Sequence, residues 1–260
     1  MDKKAILAVS FGTSHFDTLE KTIAAVEADL AAALPDRTLF RAFTSGMILR
    51  KLEGEGTHID SVPQALERLL AEGYGDVVVQ PTHILNGDEH DKFLALAAPY
   101  AGKFGRLAFG KPLLTALEDY QALADALEAD LPAPSAGAAV LFMGHGTGHW
   151  SNAAYAQLEY LLHDRGRKDV VIGTVEGYPG FGEALRRLRE LPGLERVELR
   201  PLMVVAGDHA KNDLAGEEPD SWRSRLGAEG YGVTCTLRGL GEYPAVRAIF
   251  TAHARAAAER

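Results

Sequence analysis

An internal repeat constrains the fold of this chain more than any other feature of its sequence. Three pairs of segments match in the same order: Ser10–His15 with Gly144–His149, Phe43–Met47 with Thr174–Tyr178, and Gln80–Lys92 with Arg200–Asn212. The last pair, "QPTHILNGDEHDK" and "RPLMVVAGDHAKN", has Pro, Gly and Asp at the same offsets. Three matches in one order are not expected by chance. We therefore predict two diverged copies of one structural unit.

Each copy alternates strand-like apolar runs with helical patterns, as in "AILAVSF" followed by "TLEKTIAAVEADLAAAL". This βα order favours parallel sheets with helices on both faces. We predict an α/β fold of two similar half-domains, residues 1–132 and 138–260, joined by the linker "LPAPSAGA". Ligands of open α/β sheets bind beyond the carboxyl ends of the strands. The matched segments are therefore expected to line a cleft between the half-domains.

Composition excludes several classes of function. A formal net charge of -9 argues against nucleic acid or an anionic membrane as partner. The single cysteine, Cys235, excludes a disulfide framework and any Cys-rich metal site. No apolar run approaches the roughly 18 residues of a membrane span, and the N-terminal segment is too short for a secretory signal. We expect a cytoplasmic protein.

Comparison of the copies locates candidate chemistry at the predicted strand ends. Three positions change from the first copy to the second: Phe11 to His145, Ser45 to Glu176, and Glu89 to His209. Two imidazoles and one carboxylate make an open site for a divalent metal such as cobalt, nickel, iron or zinc. In the first copy Glu89, with His83 and His90 close in sequence, is a candidate proton acceptor if burial raises its pKa.

Structural roles remain open for the same residues. His145 could be a turn residue without a metal, Glu176 a solvated loop carboxylate, and His209 a water-facing residue at a helix start capped by Asp208. His83 could be a core histidine whose ring nitrogens are hydrogen-bonded, and His149 could cap the following helix. The residue set is also compatible with a metallohydrolase, or with a protein that binds and delivers cobalt or nickel without catalysis.

Several motifs resemble the anaerobic cobalt chelatases of the CbiK type, which belong to the class II chelatases. They are "VSFGTSHFDT", "LFRAFTSGMILRKL", "HILNGDEH", "FMGHGTGH", "VEGYP" and "PLMVVAGDHAKNDLAG". The resemblance covers essentially the whole chain, to the C-terminal "GLGEYPAVRAIF". It implies an enzyme that inserts Co²⁺ into sirohydrochlorin or precorrin-2 without ATP, on the route to cobalamin. The alternative within the family is insertion of iron or nickel into the same tetrapyrrole.

The resemblance also implies roles for individual residues. It assigns the metal to His145, Glu176 and His209, and it links Glu89 with proton removal or metal handling. The catalytic candidates are therefore His145, Glu89 and His209, with Co²⁺ as substrate metal and Fe²⁺, Ni²⁺ or Zn²⁺ as other occupants. Some periplasmic relatives have a signal peptide and bind haem between subunits. We expect no haem in this chain, and the sequence leaves a homo-oligomer open.

An acidic chain needs local donors to hold the carboxylates of sirohydrochlorin. The candidate donors are the segment Ser10–Ser14 after the first predicted strand, Ser45 in the next matched segment, the Arg50 guanidinium and the His83 imidazole. We predict substrate binding by Ser10, Phe11, Gly12, Thr13, Ser14, Ser45, Arg50 and His83.

Overall fold

The computed structural model describes residues 3–260 and divides them into two units. The first unit runs to Thr115 and also includes Gly241–Arg260, and the second unit is Ala116–Leu240. Each unit contains one parallel sheet of four strands with helices between consecutive strands. The predicted α/β fold with two similar half-domains is confirmed.

The sheet of the first unit has the strand order β2-β1-β3-β4. Its strands are β1 (Lys3–Ser10), β2 (Thr38–Phe43), β3 (Tyr74–Pro81) and β4 (Arg106–Phe109). The helices that follow these strands in the chain are α1 (Phe16–Lys21), α2 (Ile23–Ala33), α3 (Gly46–Gly54), α4 (Val62–Ala71), α5 (Asp88–Ala97) and α6 (Leu117–Glu128). A short 3₁₀ helix, Ala98–Tyr100, follows α5.

The sheet of the second unit repeats this order as β6-β5-β7-β8. Its strands are β5 (Ala138–Gly144), β6 (Val170–Thr174), β7 (Arg196–Leu202) and β8 (Gly232–Cys235). The remaining helices are α7 (Ala153–Asp164), α8 (Phe181–Arg189), α9 (Trp222–Ala228) and α10 (Pro244–Glu259). Two 3₁₀ helices, Trp150–Asn152 and Leu240–Glu242, and a π-helix, His209–Leu214, complete the chain.

Backbone hydrogen bonds at the strand ends match between the two units. The Ser45 N–H donates to the Phe11 carbonyl at 3.1 Å, and the Glu176 N–H donates to the His145 carbonyl at 2.8 Å. Gly12 and Gly146 both have a left-handed backbone, with φ of 102° and 83°. The alignment of the two copies therefore holds at the candidate site residues.

The units differ from the predicted half-domains in their boundaries, because the last helix of each copy packs in the other unit. Helix α6 packs against α7 in the second unit, and α10 packs against α2 in the first. Helix α10 buries Phe250 and other apolar side chains, and its Arg247 pairs with Asp29 of α2 at 2.7 Å.

Apolar runs buried on both faces of the sheets explain the strands. Successive residues of a strand face opposite sides of the sheet, and both Ile6 and Leu7 of β1 are fully buried, as are Leu141 and Phe142 of β5. Within residues 3–260 no helix has both the length and the apolar character that crossing a bilayer requires.

Candidate metal centre

His145 lies in a tight turn directly after β5. At Gly146 a Cβ atom would stand 2.6 Å from the Gly177 backbone nitrogen, so only glycine allows this approach of the two loops. Tyr155 packs beneath Gly144, and its hydroxyl accepts a hydrogen bond from the Gly146 N–H at 3.5 Å. Burial raises the pKa of Tyr155 to about 12. The hydroxyl therefore stays protonated, and the turn that carries His145 has a fixed support.

The rings of His145 and His209 lie together, with centroids 4.9 Å apart and planes at 83°. His145 Nδ1 donates to the Gly146 carbonyl oxygen at 2.9 Å, and His209 Nδ1 donates to Asp213 Oδ2 at 2.5 Å. Because a carbonyl or carboxylate oxygen can only accept, the neutral form of each ring carries its proton on Nδ1. The Nε2 lone pair of each ring is left for a metal ion.

Glu176 is next to His145 but does not complete a metal site as it stands. Its carboxylate Oε2 lies 3.9 Å from His145 Nδ1, and the side chain is 61% exposed. In residues 3–260 no three His, Cys, Asp or Glu side chains are arranged to hold a metal ion. The exposed side chain of Glu176 is free to change its rotamer, and its role as a third ligand stays a prediction.

Asp213, which the sequence analysis missed, orients His209. Both residues belong to the π-helix, four positions apart, and the Asp208 side chain makes no capping hydrogen bond to that helix. The alternative in which the Asp208 side chain caps this helix is therefore wrong. The i, i+4 spacing of His209 and Asp213 in "HAKND" is the sequence signal that could have identified Asp213.

Glu89 lies at the start of α5 and contacts the end of β2. Thr44 donates to its Oε2 at 3.2 Å, and Lys92 donates to its Oε1 at 3.5 Å. The side chain is 40% exposed, so the burial that the proton-acceptor hypothesis invoked is not found. Its role as proton acceptor stays a prediction.

His83 is not the satisfied core histidine of the alternative interpretation. Both of its ring nitrogens are buried without a hydrogen-bond partner. The ring stacks on Phe93 with centroids 6.4 Å apart, and His90 lies at the same distance. Burial, with a smaller contribution from His90, lowers the pKa of His83 to about 3. His83 is therefore neutral at physiological pH.

Three hydroxyls that were predicted to bind substrate make hydrogen bonds within the fold. Ser10 Oγ accepts from the Thr82 hydroxyl at 2.8 Å, and Thr13 Oγ1 accepts from the His15 N–H at 3.1 Å. Ser45 Oγ accepts from the Ile48 N–H at 3.4 Å and caps α3. These side chains hold the loops in place, and their roles toward a substrate stay predictions.

The other predicted substrate-binding groups have more freedom. The Ser14 hydroxyl is buried without a hydrogen-bond partner. Phe11 is 44% exposed directly after β1, and Gly12 follows it with its left-handed backbone. Arg50 is exposed, and its guanidinium lies near Gly46 at the start of α3.

Two polar side chains fix the loops that carry the candidate ligands. His149 Nδ1 accepts from the Ser151 N–H at 3.2 Å and caps the 3₁₀ helix, which agrees with the capping alternative. Asn152 accepts from the Thr147 N–H at 3.0 Å and donates to the Tyr178 carbonyl at 2.6 Å. Asn152 thereby ties the loop after β5 to the loop after β6.

Comparison with known proteins identifies the family of this chain. The sequence model of the cobalt chelatase (CbiK) family matches residues 4–259. The chain belongs to the CbiK cobalt chelatase family. It is 49% identical over 252 residues to a sirohydrochlorin cobaltochelatase of Salmonella typhimurium, covering 96% of this chain and 95% of the relative.

Two further proteins are similar to this cobalt chelatase. The sirohydrochlorin cobaltochelatase CbiKC of Nitratidesulfovibrio vulgaris is 36% identical over 260 residues, covering 99% of this chain and 91% of that protein. The structure of SirB from Bacillus subtilis with Fe³⁺ superposes with a TM-score of 0.67 at 18% identity. That superposition covers 98% of this chain and 96% of SirB and shows that the chelatase fold is shared.

Proposed function

We propose that this cobalt chelatase inserts Co²⁺ into sirohydrochlorin without ATP, in the formation of cobalamin. The observation that carries the proposal is the pair of imidazoles 4.9 Å apart whose Nδ1 atoms both donate to oxygen acceptors. Two neighbouring imidazoles with their Nδ1 atoms engaged leave Nε2 for a metal ion, in a chain whose two named relatives are sirohydrochlorin cobaltochelatases.

In this proposal His145, Glu176 and His209 hold the ion before transfer. Three protein ligands leave coordination positions open for water and then for the ring nitrogens. Glu176 balances part of the charge and joins the site by reorienting, which its 61% exposure supports. Because His145 and His209 are themselves only half-buried, the ion can be released to the ring.

Metal insertion replaces two pyrrole N–H bonds by two bonds to cobalt, so two protons must leave the ring. We assign proton uptake to Glu89, whose exposed carboxylate can pass a proton on to water. Bending of the macrocycle would turn the nitrogen lone pairs toward the ion and lower the barrier.

The peripheral carboxylates of sirohydrochlorin need donors from this acidic chain. We assign them to the backbone N–H groups of Ser10–Ser14, the Ser14 hydroxyl and the Arg50 guanidinium. The Ser14 hydroxyl is buried and lacks a partner within the fold, so a carboxylate that reached it would satisfy a polar group that is otherwise unpaired. Arg50→Ala with unchanged kinetics would remove Arg50 from this set.

Two histidines and a glutamate suit iron and nickel as well as cobalt, so the residues alone do not select the metal. The choice of cobalt therefore rests on the family. We propose cobalt as the metal inserted. Parallel assays with Fe²⁺ and Ni²⁺ under the same conditions test this choice, and faster insertion of either ion would contradict it.

The test is anaerobic mixing of sirohydrochlorin and Co²⁺, followed by the change in absorbance of the ring. We expect rapid insertion by the wild type and its loss in His145→Ala and His209→Ala. His58→Ala is the matched control, because His58 is an exposed histidine of the other unit that pairs with Glu53 and Asp60. A wild type no faster than the uncatalysed reaction would overturn the proposal and favour a metal-delivery protein. Hydrolysis of phosphate esters or amides, without insertion of Co²⁺ into sirohydrochlorin, would favour a metallohydrolase.

A further inference from the structure

Large apolar side chains are exposed where the chain leaves the first two strands of each unit. Within residues 3–260 nine large hydrophobic side chains are exposed, and five of them follow β1, β2, β5 or β6: Phe11, Phe16, Met47, Trp150 and Tyr178. Trp150 is 78% exposed and Tyr178 is 73% exposed. Exposed apolar groups gathered in one region usually mark a ligand or partner surface.

The repeat places four of these side chains at equivalent positions. Extending the alignment of the copies by one residue puts Phe16 opposite Trp150, and the second match puts Met47 opposite Tyr178. Both copies therefore expose a large apolar group at the same two positions, although only the second copy has the histidine ligands. Since water does not favour such groups at exposed positions, their recurrence points to a shared use of these loops.

The two aromatic residues of the second unit belong to loops that are locked together. Asn152 is only 8% exposed, and it links the Thr147 N–H to the Tyr178 carbonyl. At Gly177 a Cβ atom would stand 2.5 Å from Asn152 Oδ1, so glycine permits this close contact. Trp150 and Tyr178 are thus positioned by one buried amide.

The same two loops carry candidate metal ligands. His145 and Trp150 both follow β5, and Glu176 and Tyr178 both follow β6. Trp150 also lies against the His149 ring, with centroids 4.9 Å apart. Aromatic side chains that flank a metal site suit a flat conjugated ring, because such rings stack favourably.

We propose that Trp150 and Tyr178 form an aromatic platform that contacts a face of the tetrapyrrole beside the metal ligands. This inference rests on the proposed chelatase function and deepens it by naming residues that bind the macrocycle itself. The platform acts on the ring and leaves the ion to His145, Glu176 and His209.

The experiment compares three measurements on purified variants: KM for sirohydrochlorin, Kd for metal-free sirohydrochlorin, and Kd for Co²⁺ alone. We expect Trp150→Ala and Tyr178→Ala to raise both tetrapyrrole constants about tenfold, since an aromatic stacking contact contributes on that order. Co²⁺ affinity should be unchanged. Trp150→Phe and Tyr178→Phe keep a ring and should retain most of the affinity.

Tyr160→Ala is the matched control, because Tyr160 is a 75% exposed tyrosine of the same unit on α7. It should bind sirohydrochlorin as the wild type does. Fluorescence gives a second readout, because the other tryptophan, Trp222, is only 5% exposed. Sirohydrochlorin should quench more emission in the wild type than in Trp150→Phe.

Three outcomes would overturn the platform. Wild-type tetrapyrrole constants in both alanine variants, with an active wild type, would refute the platform and leave the chelatase function standing. An equal loss of Co²⁺ affinity in these variants would assign the residues to loop support instead. A wild type that neither binds nor metallates sirohydrochlorin would refute the proposed function and the platform with it.

Discussion

Asp213 determines which nitrogen of His209 can meet a metal ion. Its carboxylate accepts the Nδ1 proton at 2.5 Å and so keeps Nε2 unprotonated. We expect Asp213→Ala to weaken Co²⁺ binding about tenfold, the low end of the loss usual for partners of ligating histidines. Isothermal titration with Co²⁺ measures this. Asp220→Ala, which removes another exposed aspartate of the same segment, should bind Co²⁺ normally. Equal affinity in Asp213→Ala and wild type would show that Asp213 does not orient the ligand.

His83 makes folding stability depend on pH. Burial lowers its pKa to about 3, so below pH ~6.5 the unfolded chain binds a proton that the folded chain excludes. The stabilisation is complete above that pH and is lost as the pH falls toward 3. One such group accounts for about 2 kcal/mol between pH 7.5 and pH 5.

His83→Phe keeps an aromatic ring but removes this titration. Urea unfolding at the two pH values should therefore show a fall in the free energy of unfolding that is smaller by about 2 kcal/mol. In His58→Ala the fall in the free energy of unfolding should instead be larger than in the wild type. Glu53 and Asp60 raise the pKa of His58, so its contribution to stability grows as the pH falls. An identical pH dependence in wild type and His83→Phe would contradict the prediction.

The repeat supplied the comparison from which the candidate metal ligands were predicted, and their roles as ligands stay predictions. The exchange of Phe11 for His145 and of Glu89 for His209 was visible in sequence, and the structure brings the two histidine rings together. Asp213 was missed because the last pair of matched segments ends at Lys92 and Asn212, one residue before Phe93 and Asp213. The exposure of Glu89 depends on tertiary packing, which a local pattern does not report.

At the scale of elements, α10 completes the core of the first unit. Phe250 is fully buried, and Arg106 donates to the carbonyls of Ala257 and Ala258 near the end of the helix. We expect Phe250→Ala to reduce the free energy of unfolding by about 3–5 kcal/mol, as for other large buried aromatic residues. Urea denaturation followed by circular dichroism measures this. Thr251→Ala, at the partly exposed neighbouring position, should cost much less, and equal losses would contradict this role of α10.

The order of elements was predictable, whereas the place of α6 and α10 was not. Strand and helix order follows from local periodicity in apolar residues: the strand predicted at "AILAVSF" is β1, and the helical pattern of "TLEKTIAAVEADLAAAL" forms α1 and α2. The periodicity of apolar residues in α6 and α10 shows that each helix has a buried face, but it does not show in which unit that face packs. The predicted boundaries at 132 and 138 followed the linker, whereas the packing follows the exchanged helices.

At the scale of the whole molecule, the two units share a backbone frame but differ in their ligands. The backbone hydrogen bond from Ser45 to Phe11 in the first unit corresponds to the one from Glu176 to His145 in the second. We expect the triple variant Phe11→His, Ser45→Glu, Glu89→His to bind two Co²⁺ per chain where the wild type binds one. Equilibrium dialysis measures the stoichiometry.

The second ion should bind more weakly, because Phe93 stands in the first unit where Asp213 stands in the second. A single Co²⁺ per chain in the triple variant, with folding verified by circular dichroism, would show that the shared backbone is not sufficient for a metal site.

The exchanged helices have a consequence for any attempt to divide the chain. Cleavage in the linker at 133–137 would leave each fragment with one sheet and with a helix that packs in the unit of the other fragment. Neither fragment would be an autonomous folding unit, and the two would regain their cores only by complementing each other. In its connectivity the chain is equivalent to a domain-swapped dimer whose subunits have been fused end to end.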